Sequence, residues 1–130
     1  MQKRVIYLCG PINGCTDGEA NDWRSLVKSK WDGPTLDPMR RDYRGKEDES
    51  VDEIVELDKI DVMNSDVILV CYDKPSVGTS MEMLYAFERG KLVVVVARSG
   101  TRISPWMRYH SHCIAPSFEA ALTYIKSVLQ

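Results

Sequence analysis

Two acidic residues of this 130-residue chain occupy positions whose neighbours are apolar. Glu82 lies in Met81-Glu82-Met83-Leu84-Tyr85-Ala86-Phe87, within a helix predicted from Thr79 to Arg89. At 100° per residue the apolar side chains surround that helix almost completely, the pattern of a buried helix. Burying an unpaired carboxylate is costly. In a first turn, free N–H groups and the positive end of the helix dipole would keep it ionised. A poised anion at a strand-loop-helix junction suits a nucleophile; Thr79-x-x-Glu82 also has the spacing of a capping box. Asp58 is the second exception. In a helix predicted from Val51 to Asn64, Val51, Ile54, Val55 and Val62 share one stripe and Asp58 falls in its middle. A carboxylate on a buried face must find a partner, such as Arg or Tyr, or do chemistry. Two carboxylates in unlike environments are the equipment of glycosidic-bond cleavage.

Other groups could serve these two. Pro75-Ser76-Val77-Gly78-Thr79-Ser80 brings small hydroxyl residues and glycine to a helix start, which is either an anion site or an ordinary capped turn. Neither a Gly-Lys-Ser/Thr phosphate loop nor a GxGxxG fingerprint is present, so no cofactor is expected. Arg40, Arg41 and Arg44 lie in a loop dense in charge, as a solvated surface or as contacts to a phosphate or base. His110-Ser111-His112-Cys113 lacks the paired ligand spacing of a zinc site, and no metal is expected.

Apolar runs at Val5 to Cys9, Val67 to Tyr72 and Leu92 to Ala97, with weaker ones at Pro34 to Leu36 and Cys113 to Ala115, predict strands. Helices are predicted between them at Glu19 to Trp31, Val51 to Asn64, Thr79 to Arg89 and, capped by Ser117, up to Leu129. The alternation predicts one α/β domain over residues 1–130, doubly wound, with a mainly parallel five-stranded sheet. Ligands of such sheets bind beyond the carboxyl ends of the strands, at the topological switch point. The loops Gly10 to Gly18, Asp37 to Gly45 and Asp73 to Thr79 would meet there.

Seventeen Lys and Arg against 19 Asp and Glu leave a net charge of −2, without the basic excess of a nucleic-acid or membrane-surface binder. No run approaches the roughly 18–20 apolar residues of a membrane span. The apolar run after Met1-Gln2-Lys3-Arg4 is too short for a signal-peptide core. Four cysteines, none in CxxC spacing, fit a reduced, cytoplasmic protein.

Tyr7-Leu8-Cys9-Gly10-Pro11-Ile12 resembles the opening strand and loop of the nucleoside 2-deoxyribosyltransferase family. The stretch from Asp58 through Asn64-Ser65-Asp66-Val67 to Ser76-Val77-Gly78-Thr79-Ser80-Met81-Glu82-Met83-Leu84-Tyr85-Ala86, with Gly90-Lys91, resembles its catalytic core. The resemblance covers nearly the whole chain and extends to the nucleoside 5′-monophosphate N-glycosidases of the same superfamily. It implies that Glu82 is the nucleophile attacking the anomeric carbon, that Asp58 is the acid serving the leaving base, and that Tyr7 orients the nucleophile. Gly10, Ile12, Asn13 and Gly14 match the loop over base and sugar. Arg40, Arg41, Ser76, Gly78 and Thr79 are further expected substrate contacts. The family also implies a homodimer or larger assembly; Trp106 and Met107, after Ser104-Pro105, are read from the chain itself as interface, lid or core residues.

Two departures bear on the reaction. The transferases carry Asp at the position of Ser76, where it binds the sugar 5′-hydroxyl; the nucleotide hydrolases carry Ser, which can donate to a 5′-phosphate. The transferases also end in a tail whose Asn completes a neighbouring site, whereas here a helix leads to Leu129-Gln130. The leading expectation is therefore a hydrolase of pyrimidine (deoxy)nucleoside 5′-monophosphates. Base exchange between deoxynucleosides is the alternative, and a nucleotide-binding sensor without turnover is a third.

Overall fold

Branched apolar side chains line Val67–Cys71 and Leu92–Val96, and these segments form two of the three interior strands of the computed structural model, which describes residues 3–129. Their residues are buried on both faces, apart from a partly exposed Leu92. Such burial is expected of parallel strands covered by helices on either side. In chain order the elements are β1 (Ile6–Cys9), α1 (Asp17–Lys30), β2 (Thr35–Leu36), two short 3-10 turns (Pro38–Arg40 and Glu47–Glu49), α2 (Val51–Met63), β3 (Val67–Cys71), α3 (Val77–Glu88), β4 (Leu92–Val96), α4 (Pro105–Tyr109), β5 (Cys113–Ala115) and α5 (Phe118–Leu129). Gln130, with which the predicted chain end was read, lies outside the described residues.

All strand pairs are parallel, in the order β2-β1-β3-β4-β5. The chain reverses its direction of winding between β1 and β3, so the switch point lies beyond their carboxyl ends. Side-chain alternation along β1 decides which residues face which layer. Leu8 packs with Trp23, Val27, Leu122 and Ile125 under α1 and α5. Tyr7 and Cys9 face the opposite layer, with Ile68, Val70 and Met83 under α2 and α3.

The helix ends follow their sequences. Thr16 and Glu19 close a capping box at α1. Ser117 accepts from the Ala120 N–H at α5. Gly90, at φ +76°, adopts the left-handed conformation that follows α3. Among the described residues no helix is long and apolar enough to cross a membrane.

Two expectations about helix faces are corrected. Helix α3 is not buried all round: Thr79, Met83 and Ala86 are buried, while Val77 and Met81 are 79% and 66% exposed. It packs on the sheet and α2 from one side only, so Leu84, Tyr85 and Phe87 are half-buried at the edges of that face and Val77 and Met81 lie on the surface. Nor is the stripe of α2 a core face, since Val51 and Val55 are exposed. The fully buried residues of α2 are Asp61 and Val62. The α2 stripe borders a cavity instead.

Candidate active site

Beyond β1 and β3, a cavity of about 350 Å³ is lined by Ile12 and Asn13 from the first loop, Arg41, Tyr43 and Arg44 from the loop after β2, and Val51, Ile54, Val55 and Asp58 from α2. Pro38, Glu47 and Asp48, with Ser76, Gly78 and Glu82 of α3 and its cap, complete the wall. A second cavity of about 420 Å³ adjoins it, sharing Asp58, Gly78 and Glu82 and continuing along Met81, Leu84 and Tyr85. Both carboxylates therefore stand on the boundary between two open spaces.

Glu82 is held from behind. The Tyr7 hydroxyl, on a side chain only 1% exposed, donates to Glu82 Oε2. The Cys9 thiol, two residues along the same strand face, lies 3.9 Å from Oε1. Tyr7 and Cys9 both titrate well above their ordinary ranges, chiefly because burial penalises their charged forms, so each remains a donor.

The expectation that the helix start keeps Glu82 ionised is corrected. Helix α3 begins at Val77, its cap is Ser76, whose Oγ accepts from the Thr79 N–H at 3.3 Å, and no Thr79 capping box forms. Glu82 thus stands in the second turn, beyond the free N–H groups. Burial and the nearby Asp58 charge push its carboxyl up to about 8, against the opposing pull of the Tyr7 hydrogen bond. With the carboxyl at about 8, the protonated form of Glu82 is the favoured one at neutral pH in the free protein. Burial also raises Asp58, against the pull of Arg41, whose Nη2 lies 3.4 Å from Asp58 Oδ1. The Asp58 charge acts on Glu82 across the cavity, so the two carboxyls titrate as a coupled pair.

The other expected contacts divide. Ile12, Asn13, Arg41, Ser76 and Gly78 reach the cavity wall. Arg40 does not: it bonds Asp61 Oδ1 and the Asp37 carbonyl. Gly10 and Gly14 shape the first loop without lining the cavity. Gly10 lies against Trp23, where an added Cβ would sit 2.7 Å from the ring, and Gly14 turns the chain at φ +74°. Thr79 is buried, with its hydroxyl unpartnered.

His112 accepts from the Val93 N–H through Nδ1, and His110 stacks on Trp106. Both serve packing, and among the described residues no group of three His, Cys, Asp or Glu could hold a metal. Trp106 is exposed on α4 and Met107 is buried beneath it.

Two residues that support the site were not singled out in the sequence. Arg24 is fully buried, bonds the Leu8 and Gly10 carbonyls at 3.1 to 3.3 Å, and so ties down the chain leaving β1. Its spacing on the Ala20-Trp23-Val27 stripe marks a cation on an apolar face. Asp61 lies one turn beyond Asp58 and bonds both Arg40 and Arg41. The stripe reading of α2 passed over it because Asp58 alone interrupted the apolar residues.

Fold and site together define a doubly wound α/β domain carrying a carboxylate pair at its switch point. The chain matches no protein-family model. It is 30% identical over 112 residues to a Trichoplax adhaerens protein named, provisionally, 2′-deoxynucleoside 5′-phosphate N-hydrolase 1, covering 83% of this chain and 77% of that one. Its fold resembles the solved structure of the Clostridium botulinum CMP N-glycosidase BcmB, with a TM-score of 0.62 at 15% identity, over 95% of this chain and 99% of the other. The chain belongs to the nucleoside 2-deoxyribosyltransferase family, in the branch of the nucleotide N-hydrolases.

Proposed function

We propose that the protein hydrolyses the N-glycosidic bond of a pyrimidine nucleoside or deoxynucleoside 5′-monophosphate through a covalent glycosyl intermediate on Glu82. The observation that carries this reading is the Tyr7-Glu82 pair opening, with Asp58, onto one cavity whose rim is the start of α3. The names of the Trichoplax and Clostridium proteins support it, since both specify release of a base from a nucleotide.

The competent form carries the pair's single proton on Asp58 and the charge on Glu82. A Glu82 oxygen forms a bond to the anomeric carbon as the bond from that carbon to the base nitrogen breaks, and the proton of Asp58 passes to the leaving base. Water then attacks the same carbon and gives its proton to Asp58, and the Glu82-sugar bond breaks to free the sugar phosphate. Two displacements at one carbon retain its configuration. Tyr7 and Cys9 aim the Glu82 oxygens. Val51, Ile54 and Val55 offer an apolar wall for the flat face of the base, with Asn13, Arg41 and Tyr43 for its polar edge.

The phosphate sits at the start of α3. The Val77 and Gly78 N–H groups stand there in the first turn, and the Ser76 hydroxyl accepts from Thr79 while its own proton remains free for an anion. Chromatography of the protein incubated with nucleosides and with their 5′-monophosphates, with and without a second free base, tests the reading. Free base and sugar phosphate from the monophosphate alone are expected. A new nucleoside formed only when the second base is present overturns it in favour of transfer, and the absence of any product favours a sensor.

A further inference from the structure

We infer that Asp61 is a positioning residue that draws the Arg41 guanidinium away from Asp58, so that Asp58 can hold a proton at the cavity. The inference rests on the reading of Asp58 as the acid that serves the leaving base. Asp61 is 4% exposed, deeper than any other carboxylate of α2, and a buried carboxylate survives only when paired. Its two oxygens are bonded at 2.8 Å by Nη2 of Arg40 and Nη2 of Arg41. Burial pushes its carboxyl up, but the two arginines outweigh that and hold it below the ordinary range, so it remains an anion.

The same Arg41 nitrogen is the one that approaches Asp58, at 3.4 Å. One donor therefore faces two carboxylates, and the shorter contact is to Asp61. Arg41 Nε is buried without a partner, so the guanidinium does not close on Asp58 through a second nitrogen. A two-point grip is the strong form of an arginine-carboxylate pair and would fix Asp58 as an anion. An anion has no proton to give to a leaving base.

A staple between the loop after β2 and helix α2 would need only Arg40. The second arginine, reaching from Asp61 to the cavity wall, is what a staple leaves unexplained. The charged and titratable groups around Asp58 are Lys59 and Asp61 on its own helix, Arg40, Arg41, Tyr43, Arg44, Glu47 and Asp48 from the segment before it, Glu82, Glu88 and Arg89 from α3 and its end, and Tyr7 and Cys9 from β1. Removing the Asp61 charge takes away a repulsion that favours protonated Asp58 and releases Arg41 onto it. Both effects make Asp58 more acidic and move the shared proton to Glu82, the unproductive arrangement.

The test is the pH profile of kcat/KM for base release from a pyrimidine nucleoside 5′-monophosphate, in wild type, Asp61→Asn and Asp61→Asn/Arg41→Ala. For Asp61→Asn the plateau is expected to fall about tenfold and the ascending limb to move about one pH unit lower, because a tenfold change in proton distribution is one unit. The descending limb, which reports loss of the last proton of the pair, stays in place. In the double variant the ascending limb returns to the wild-type position or above it, since Arg41, the cation in contact with Asp58, is gone. A purely structural Asp61 would lower the plateau and leave both limbs unmoved, which overturns the inference.

Should Asp61→Asn fail to fold, Asp61→Ser, which also removes the charge, carries the same test. Its ascending limb moves to lower pH if Asp61 holds Arg41 off Asp58, and an unmoved limb overturns the inference. Asp58→Asn separates the two levels. If that variant keeps the descending limb, the reading of the site fails and the inference with it. If it loses that limb while Asp61→Asn leaves the profile unchanged, only the inference fails.

Discussion

Replacing Glu82 by glutamine removes the proposed nucleophile and should also stabilise the protein at alkaline pH. The carboxyl of Glu82 titrates at about 8 in the fold against an ordinary value of 4.5. A group whose folded pKa is raised contributes its full stability below the unfolded value and loses it as pH rises through the folded one. Glu82 therefore costs the wild type nothing near pH 4. The cost grows by about 1.4 kcal/mol for each pH unit above the ordinary value and levels off above pH 8, at roughly 5 kcal/mol. The glutamine side chain has the shape of the protonated acid, keeps an oxygen for the Tyr7 hydroxyl and does not ionise. Urea denaturation of both proteins at pH 5, 7 and 9 measures the difference. The variant is expected to gain little at pH 5, several kcal/mol at pH 9, and to release no base at any pH. A stability difference that does not grow with pH would refute the assignment of a raised Glu82 carboxyl. A variant that still releases base would refute its role as nucleophile.

The remaining expectations are narrower. Asp58→Asn should lower kcat while leaving KM near wild type, and should abolish the descending limb near pH 8, because no proton is left on the pair to lose; steady-state kinetics across pH checks both. Ser76→Asp should leave the fold intact, since Asp is also a good cap for the Thr79 N–H, while its charge faces the phosphate. Monophosphate turnover should fall ten- to a hundredfold more than nucleoside turnover, from a lost charged hydrogen bond worth roughly 1.5–3 kcal/mol together with repulsion. Equal losses for the two substrates would place the phosphate elsewhere. Gly10→Ala should destabilise by about 1–3 kcal/mol in urea, because its Cβ would meet the Trp23 ring at 2.7 Å in a packed core; an unchanged midpoint would show that the ring moves aside freely.

Much of the architecture is local and was legible in the chain. Strand runs such as Leu92–Val96 are branched and apolar because both of their faces are covered, and a chain that alternates such runs with helices can be wound only a few ways. Glu82 and Asp58 stood out for a local reason as well: each interrupts an apolar pattern, and a charge among apolar neighbours is costly unless it is used. The Tyr7-Leu8-Cys9-Gly10-Pro11 stretch and the Ser76 to Ala86 stretch carried the family resemblance.

What periodicity could not decide was which apolar face meets the core and which meets a cavity or solvent. Val51, Val55 and Met81 all read as core, and all three are exposed and line the cavities. Helical spacing states that residues share a face, and only the neighbouring elements state what covers it. The charge state of Glu82 is of the same kind. Starting α3 at Val77 instead of Thr79 moves this carboxylate out of reach of the helix N-terminus, and burial, with the nearby charge of Asp58 from another helix, raises its pKa. The network of Asp61, Arg41 and Asp58 spans 17 to 20 residues of sequence separation and exists only because the loop after β2 folds back over α2. Sequence determined the elements and the identity of the two unusual carboxylates. Tertiary packing decided their partners, their protonation and the cavity they share, because electrostatic energies depend on distance in space and on burial, and neither is a property of spacing along the chain.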